Sequence, residues 1–231
     1  MRHNEVAGFR SLAYKYFSEL LDYPYDKDIE EFDRRMEELK YILSMLSEIL
    51  DCQRAVEELD RARREYLSEL GRLGRDLFQA EYVATFELGN PAPPCPPFER
   101  EYLKGDRAGD APSDHVEDDL RREADILSEL IDFYEGCGVG VKGATPDHLA
   151  VELEFLHYLT SKEFESLENG NLTELALLRK DELNFLKNHL LRWLDGFLRC
   201  VKSKGSLRTY AFLLVSLKEF VESDFKYLGQ L

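Results

Sequence analysis

The stretch "NEVAGFRSLAYKYFSELLDYP", residues 4–24, decides the fold class. Phe9, Leu12, Ala13, Tyr16, Leu20 and Tyr23 recur at spacings of three and four, so on a helix they form one apolar stripe, with Glu, Lys and Arg on the other side. Pro24 cannot continue the pattern and stops it. A stripe of this kind is stable only against another element. The neighbouring pattern shows what that element is.

The same period of about 3.6 returns along the chain, and strand-like alternation is nearly absent. Residues 28–50 read as a second helical region and residues 55–70 as a third, the latter rich in Glu and Arg at helical pairing distance. Gly71 and Gly74 interrupt before "RDLFQAEYVATFEL", which carries Leu77, Phe78, Tyr82 and Phe86. Helix resumes from about His115 to Tyr134, ends in "GCGVGVKG", and restarts at Thr145. Two more follow, at roughly 172–201 and 207–227. Leu186, Leu190, Trp193, Leu194 and Phe197 mark a broad apolar arc on the first of them.

Between these helices lies "GNPAPPCPPFERE", residues 89–101, with five prolines. Proline lacks an N–H and clashes with the preceding helical turn, so the stretch reads as an ordered or extended crossover. The irregular region continues to Asp114. The expected architecture is all-α: one helical-bundle domain spanning residues 1–231, with a proline-rich crossover at about 89–114.

The chain has 231 residues, 44% hydrophobic and 33% charged, within the range of ordinary globular proteins. With 30 Lys and Arg against 46 Asp and Glu, its net charge of −16 repels nucleic acid and anionic lipid and favours a cationic partner. No stretch approaches the roughly 20 apolar residues that cross a bilayer, so no stable membrane insertion is expected. "MRHNEVAGFR" has no signal-peptide core, which points to the cytoplasm. Cys52, Cys95, Cys137 and Cys200 are scattered without zinc-type spacing and read as four reduced thiols.

"ATPDHLAVELEFL", residues 144–156, poses the functional question. Asp147 and His148 are adjacent, so their side chains would point about 100° apart on a helix and make a poor catalytic dyad. Glu152, four residues on, could reach His148. His148 and Glu152 supply half a metal site at most, and no second helix completes it. Thr145 as N-cap, Pro146 in the first turn and Asp147 against the helix dipole account for three residues as a helix start. His148 is left without a structural reason. The glycine-rich "GCGVGVKG" lacks phosphate-loop spacing and reads as a turn. No catalytic residue, metal or cofactor is expected.

Three motifs in order then resemble one family. Tyr82-x3-Phe86-x2-Gly89, leading into Pro97-Phe98-Glu99-x2-Tyr102, is similar to the first signature of the TorD/DmsD/NarJ-type redox-enzyme maturation chaperones. Pro146-Asp147-His148-x3-Glu152-Leu153-x-Phe155 resembles their second, and "FLKNHLLRWLDGF", residues 185–197, their third. Arg100 stands where that family commonly has a small hydroxyl residue, and Thr145 where it often has an acid.

The resemblance implies an all-helical, cofactor-free chaperone of the cytoplasm, not an enzyme. Its partner would be the precursor of a molybdopterin-containing oxidoreductase subunit, bound through its N-terminal twin-arginine leader until the cofactor is inserted. Tyr82, Phe86, Pro97, Phe98, Glu99, Tyr102, Asp147, His148 and Glu152 are the peptide-binding candidates that carry over. A leader that pairs two guanidinium groups with an apolar stretch asks for carboxylates beside apolar surface. Asp147 and Glu99 are expected to meet its arginines, His148 its backbone, and Phe98 or Tyr102 its apolar part. Residues 113–136 add nine acids against Arg121 and Arg122: Asp114, Glu117, Asp118, Asp119, Glu123, Asp125, Glu129, Asp132 and Glu135. The long crossover also allows a homodimer by domain swapping.

Overall fold

The computed structural model describes residues 1–103, 116–141 and 145–231. Among them ten α-helices follow in order: α1 (His3–Leu21), α2 (Asp26–Leu50), α3 (Gln53–Leu73), α4 (Arg75–Phe86), α5 (Glu99–Tyr102), α6 (Val116–Gly136), α7 (Leu149–Asn169), α8 (Leu172–Phe185), α9 (Leu191–Lys204) and α10 (Arg208–Leu228). The only strand-like feature among these residues is a single antiparallel bridge between Phe98 and His148. The all-α expectation therefore holds. Residues 104–114 of the crossover, Asp114 of the acidic run and residues 142–144 of the glycine-rich loop lie outside the described residues.

Helix α1 packs along α7 and beside α2, α10 lies along α3, and α8 and α9 close the bundle against α7 and α10. One continuous apolar cluster runs through all of these contacts, from Val6 and Phe17 to Leu217 and Leu228. Each fully buried Leu or Phe in it contributes about 1.5–3 kcal/mol. Leu149, Leu153 and Leu156 of α7 face this core as their spacing predicts, and so do Leu186, Leu190, Trp193, Leu194 and Phe197.

The α1 stripe differs by about one residue from its expected register. Ala13 and Leu20 are buried, but Leu12 is 41% exposed, while Arg10, Tyr14 and Phe17 face inward. The reason is polar. Arg10, fully buried, pairs with Glu163 of α7, Glu182 of α8 and Asp224 of α10, and Tyr14 Oη donates to Asp224 Oδ2 at 2.6 Å. A charge that finds partners on three helices turns its own helix toward them, because an unpaired buried guanidinium would cost several kcal/mol.

Two helix boundaries also depart from expectation. The span expected at 172–201 is interrupted by a π-turn at Leu186–Leu190, which separates α8 from α9. The second helix boundary lies at the site.

Candidate functional site

The proline-rich segment is held at both ends. Its first glycine, Gly89, approaches its own chain so closely that a Cβ there would lie 2.0 Å from the Ala92 carbonyl oxygen, which explains the glycine of the first motif. Cys95 N–H donates to the Thr85 carbonyl at 2.9 Å, fastening the segment to the end of α4. The chain was expected to stay irregular through Glu101, yet Glu99–Tyr102 forms a one-turn helix. Proline bars the helix only up to Pro97. Beyond it, Glu99, Arg100 and Glu101 carry no such restriction.

The same segment meets the second motif backbone to backbone. Leu149 N–H donates to the Pro97 carbonyl and Glu99 N–H to the Asp147 carbonyl, both at 2.9 Å. This pairing draws His148 into extended conformation, with φ −76° and ψ 136°. Helix α7 therefore begins at Leu149, not at Thr145. His148 is its N-cap, with Nδ1 accepting from Ala150 N–H at 3.2 Å. Thr145, Pro146 and Asp147 form the turn before it. The local capping signal was outweighed by two hydrogen bonds from a segment about fifty residues away in sequence.

Side chains complete the clasp. Asp147, fully buried, accepts from Arg100 Nη1 at 2.7 Å and from Arg100 N–H at 3.2 Å. The Arg100 guanidinium also stands 4.7 Å over the Phe98 ring, and Phe98 meets His148 edge-on at 5.2 Å. Glu99 Oε2 lies 3.2 Å from His189 Nδ1, on the π-turn. Glu152 Oε2 accepts from Trp193 Nε1 at 3.2 Å rather than reaching His148. Tyr102 stacks on Trp193 at 5.8 Å and crowds Gly196, where a Cβ would come within 3.2 Å of its side chain. All three motifs thus converge on one place.

Burial sets the electrostatics. Glu99, Asp147 and Glu152 are each 0% exposed. Burial pushes the Asp147 carboxyl up, and Arg100 offsets only part of this. Glu152 rises well above the ordinary carboxylate range, first through burial and then through Glu99 and Asp147, so its protonated form is favoured. Burial also lowers the His148 pKa, which suits an Nδ1 that must stay unprotonated to accept the Ala150 N–H.

Of the nine candidate residues, Tyr82 and Phe86 lie in the aromatic core, 4.8 Å apart, and Phe86 reaches Tyr102 only through Phe197. Pro97, Glu99, Asp147 and Glu152 are buried in the clasp, while Phe98, Tyr102 and His148 are half-buried. The two carboxylates expected to meet the leader's arginines lie among these buried residues. In this conformation Asp147 is paired with this chain's own Arg100, and Glu99 lies beside His189. Arg100, His189, Trp193 and Tyr134 were not among the candidates. Trp193 and His189 stand in the quoted third motif, where a histidine interrupting an apolar arc was the available signal.

Beside the clasp opens a cleft of about 390 Å³ lined by Tyr134, Val139, Val141, Val151, Phe155 and Tyr158. Tyr134 Oη donates to the Pro146 carbonyl at 2.8 Å and so joins the cleft wall to the Asp147 turn. Glu154 stands at its rim. Its carboxyl is pushed up by partial burial and by the nearby carboxylates of Asp22 and Glu19. Among the described residues no group of three or more His, Cys, Asp or Glu is placed to hold a metal ion.

Residues 50–199 match the family of the nitrate reductase delta subunit. The chain is 31% identical over 160 residues to the chlorate reductase assembly chaperone protein of Ideonella dechloratans, covering 68% of this chain and 73% of that one. It is 31% identical over 161 residues to the selenate reductase assembly chaperone protein of Thauera selenatis, covering 68% and 74%. Among solved structures it is similar to a candidate redox enzyme maturation protein from Archaeoglobus fulgidus, at 20% identity and TM-score 0.46 over 96% of this chain and 95% of that one.

Proposed function

Because the chain belongs to the family of the nitrate reductase delta subunit, we propose that it is an assembly chaperone for the catalytic subunit of a molybdopterin-containing reductase. Its similarity to the chlorate and selenate reductase assembly chaperones supports a reductase as client and a non-catalytic role. The finer reading is that it binds the client's N-terminal leader in the cytoplasm, before the cofactor is in place.

One observation carries that finer reading. An open cleft walled by Val151, Phe155 and Tyr158, with the exposed carboxylate of Glu154 in its lining and that of Asp22 near it, lies beside the Pro146–His148 turn. A segment that combines arginines with an apolar stretch matches both halves. The guanidinium groups meet the rim carboxylates, and the apolar residues enter between Val151, Phe155 and Tyr158. Phe98 and His148 border the binding surface, and Tyr82, Phe86, Pro97, Glu99, Tyr102, Asp147 and Glu152 shape it from behind. Arg100 on Asp147 and Phe98 is an internal example of how this surface receives a guanidinium.

The test is a calorimetric titration of a twin-arginine leader peptide from a reductase precursor. Wild type should bind with an affinity that falls as salt rises over tens to hundreds of millimolar. Glu154→Gln and Val151→Asp should weaken binding while leaving the fold intact. Equal affinity for wild type and both folded variants would remove the cleft from the reading. Affinity purification from the native cell tests the coarser function separately, since recovery of a reductase precursor is required by it whatever surface is used.

A further inference from the structure

Four separate reduced thiols were expected, but the structure joins two of them. Cys95 in the proline-rich segment and Cys200 on α9 form a disulfide, with Cα atoms 5.7 Å apart and 105 residues between them in sequence. Their surroundings differ. Cys95 is fully buried, whereas Cys200 is half-buried, with Sγ 3.1 Å from the Pro94 carbonyl oxygen. Arg199, Lys202 and Lys204, all exposed, flank Cys200 in the sequence of α9, a local excess of positive charge on a strongly acidic chain. Positive charge of this kind favours a thiolate over a thiol and draws in small anions.

The two remaining cysteines are placed differently. Cys52 is buried and its thiol pushed up to about 12; Cys137 is pushed up to about 11 by partial burial and by Asp181. Neither has a cysteine partner.

We propose that Cys95 and Cys200 are a reversible oxidative modification site, through which an anionic low-molecular-weight disulfide such as oxidised glutathione locks the proline-rich segment onto α9. The Cys200 thiolate attacks one sulfur of the small disulfide, forming a mixed disulfide and releasing one glutathione thiolate. The Cys95 thiolate then attacks Cys200 Sγ and releases the second. Two protein thiols lose two electrons and two protons, and one glutathione disulfide becomes two glutathione thiols. Excess glutathione thiol runs the same steps backwards.

The lock acts on the clasp because Cys95 lies two residues before Pro97, whose carbonyl receives Leu149 N–H. In the dithiol form the segment between α4 and α5 is held by hydrogen bonds and ring contacts alone. In the disulfide form it is also tied covalently to the helix on which Tyr102 stacks. Opening of Pro97–Leu103 away from α7 and α9 is then suppressed. This inference is independent of the client and of the leader cleft.

The full chain is equilibrated in glutathione buffers from fully reduced to fully oxidised, alkylated and mapped by mass spectrometry, with amide hydrogen exchange followed in parallel. The Cys95–Cys200 linked peptide should appear at oxidising ratios and vanish at reducing ones. Exchange at residues 98–103 and 148–150 should slow by about tenfold or more on oxidation, a part of the full effect that a cross-link closing so long a loop can have. Cys200→Ser should abolish both changes. As Cys200 is half-buried, that variant should fold, and the wild-type comparison stands without it. Full alkylation of both cysteines at every ratio, a link that survives full reduction of the folded chain, or a link without slower exchange would each overturn the proposal.

Discussion

Arg100 Nη1 lies 2.7 Å from Asp147 Oδ1, and this contact reinforces the backbone pairing that ties the proline-rich segment to the start of α7. Asp147 is fully buried while the Arg100 side chain is 20% exposed, so water screens one partner and not the other.

Asp147→Ala should therefore cost about 1.5–3 kcal/mol, the range for a hydrogen bond to a charged group, because Arg100 can turn toward solvent once its partner is gone. Urea unfolding measures it. A loss near zero would mean that the clasp is held by its backbone pairing alone.

Arg10 has no such escape. Arg10→Met leaves Glu163 with Arg179 alone and takes the guanidinium away from Glu182 and Asp224 in a buried space, and a cost of about 3–5 kcal/mol is expected at pH 7. Urea unfolding at pH 7 checks it.

The native chain should lose stability toward alkaline pH. Glu182 is pushed up to about 8, chiefly by burial, so its contribution is fully present below its unfolded value and disappears as pH rises from the ordinary carboxylate range through about 8. Glu152, raised for the same reason, acts in the same direction. Melting temperature should therefore be lower at pH 9 than at pH 6, and Glu182→Gln should flatten that slope. On the acid side His148, whose pKa is lowered by burial, gives stability that is present above the unfolded value near 6.5 and lost as pH falls through the folded one.

His148→Ala removes the N-cap of α7 and should cost about 0.5–2 kcal/mol, whereas His148→Asn, with a side chain that can accept from Ala150 N–H, should recover most of it. Thermal melts of the pair separate capping from the ring contact with Phe98, which neither variant retains.

Gly89→Ala should destabilise by about 1–3 kcal/mol, since no flexible side chain can yield where a Cβ meets the Ala92 backbone. Gly71→Ala, where a Cβ meets nothing within 4 Å, is the control and should not destabilise.

Much of the fold could be read from spacing. The leucines of α7 and the Leu186–Phe197 arc are buried as their period requires, because burial of an apolar stripe is a property of the helix that carries it. Leu12 was misassigned because Arg10, a charged residue with distant partners, set the rotation of α1. Cys95 and Cys200 gave no spacing signal, since a disulfide across 105 residues depends on two segments meeting in space.

For the candidate site the division is sharper. The residues that meet in the clasp stand in the three motifs, whose types and intervals depend only on order along the chain. What each of them does was not visible. Asp147 reads locally as a first-turn acid, yet it is a buried partner of Arg100, and the helix expected from Thr145 begins at Leu149. That outcome rests on Leu149 N–H and Asp147 C=O finding Pro97 and Glu99, hydrogen bonds between segments far apart in sequence. Composition and period thus established an acidic helical bundle, and the resemblance of three motifs in order pointed to its candidate residues. Long-range pairing of backbone and buried charge turned the expected contact carboxylates into the clasp behind an open cleft.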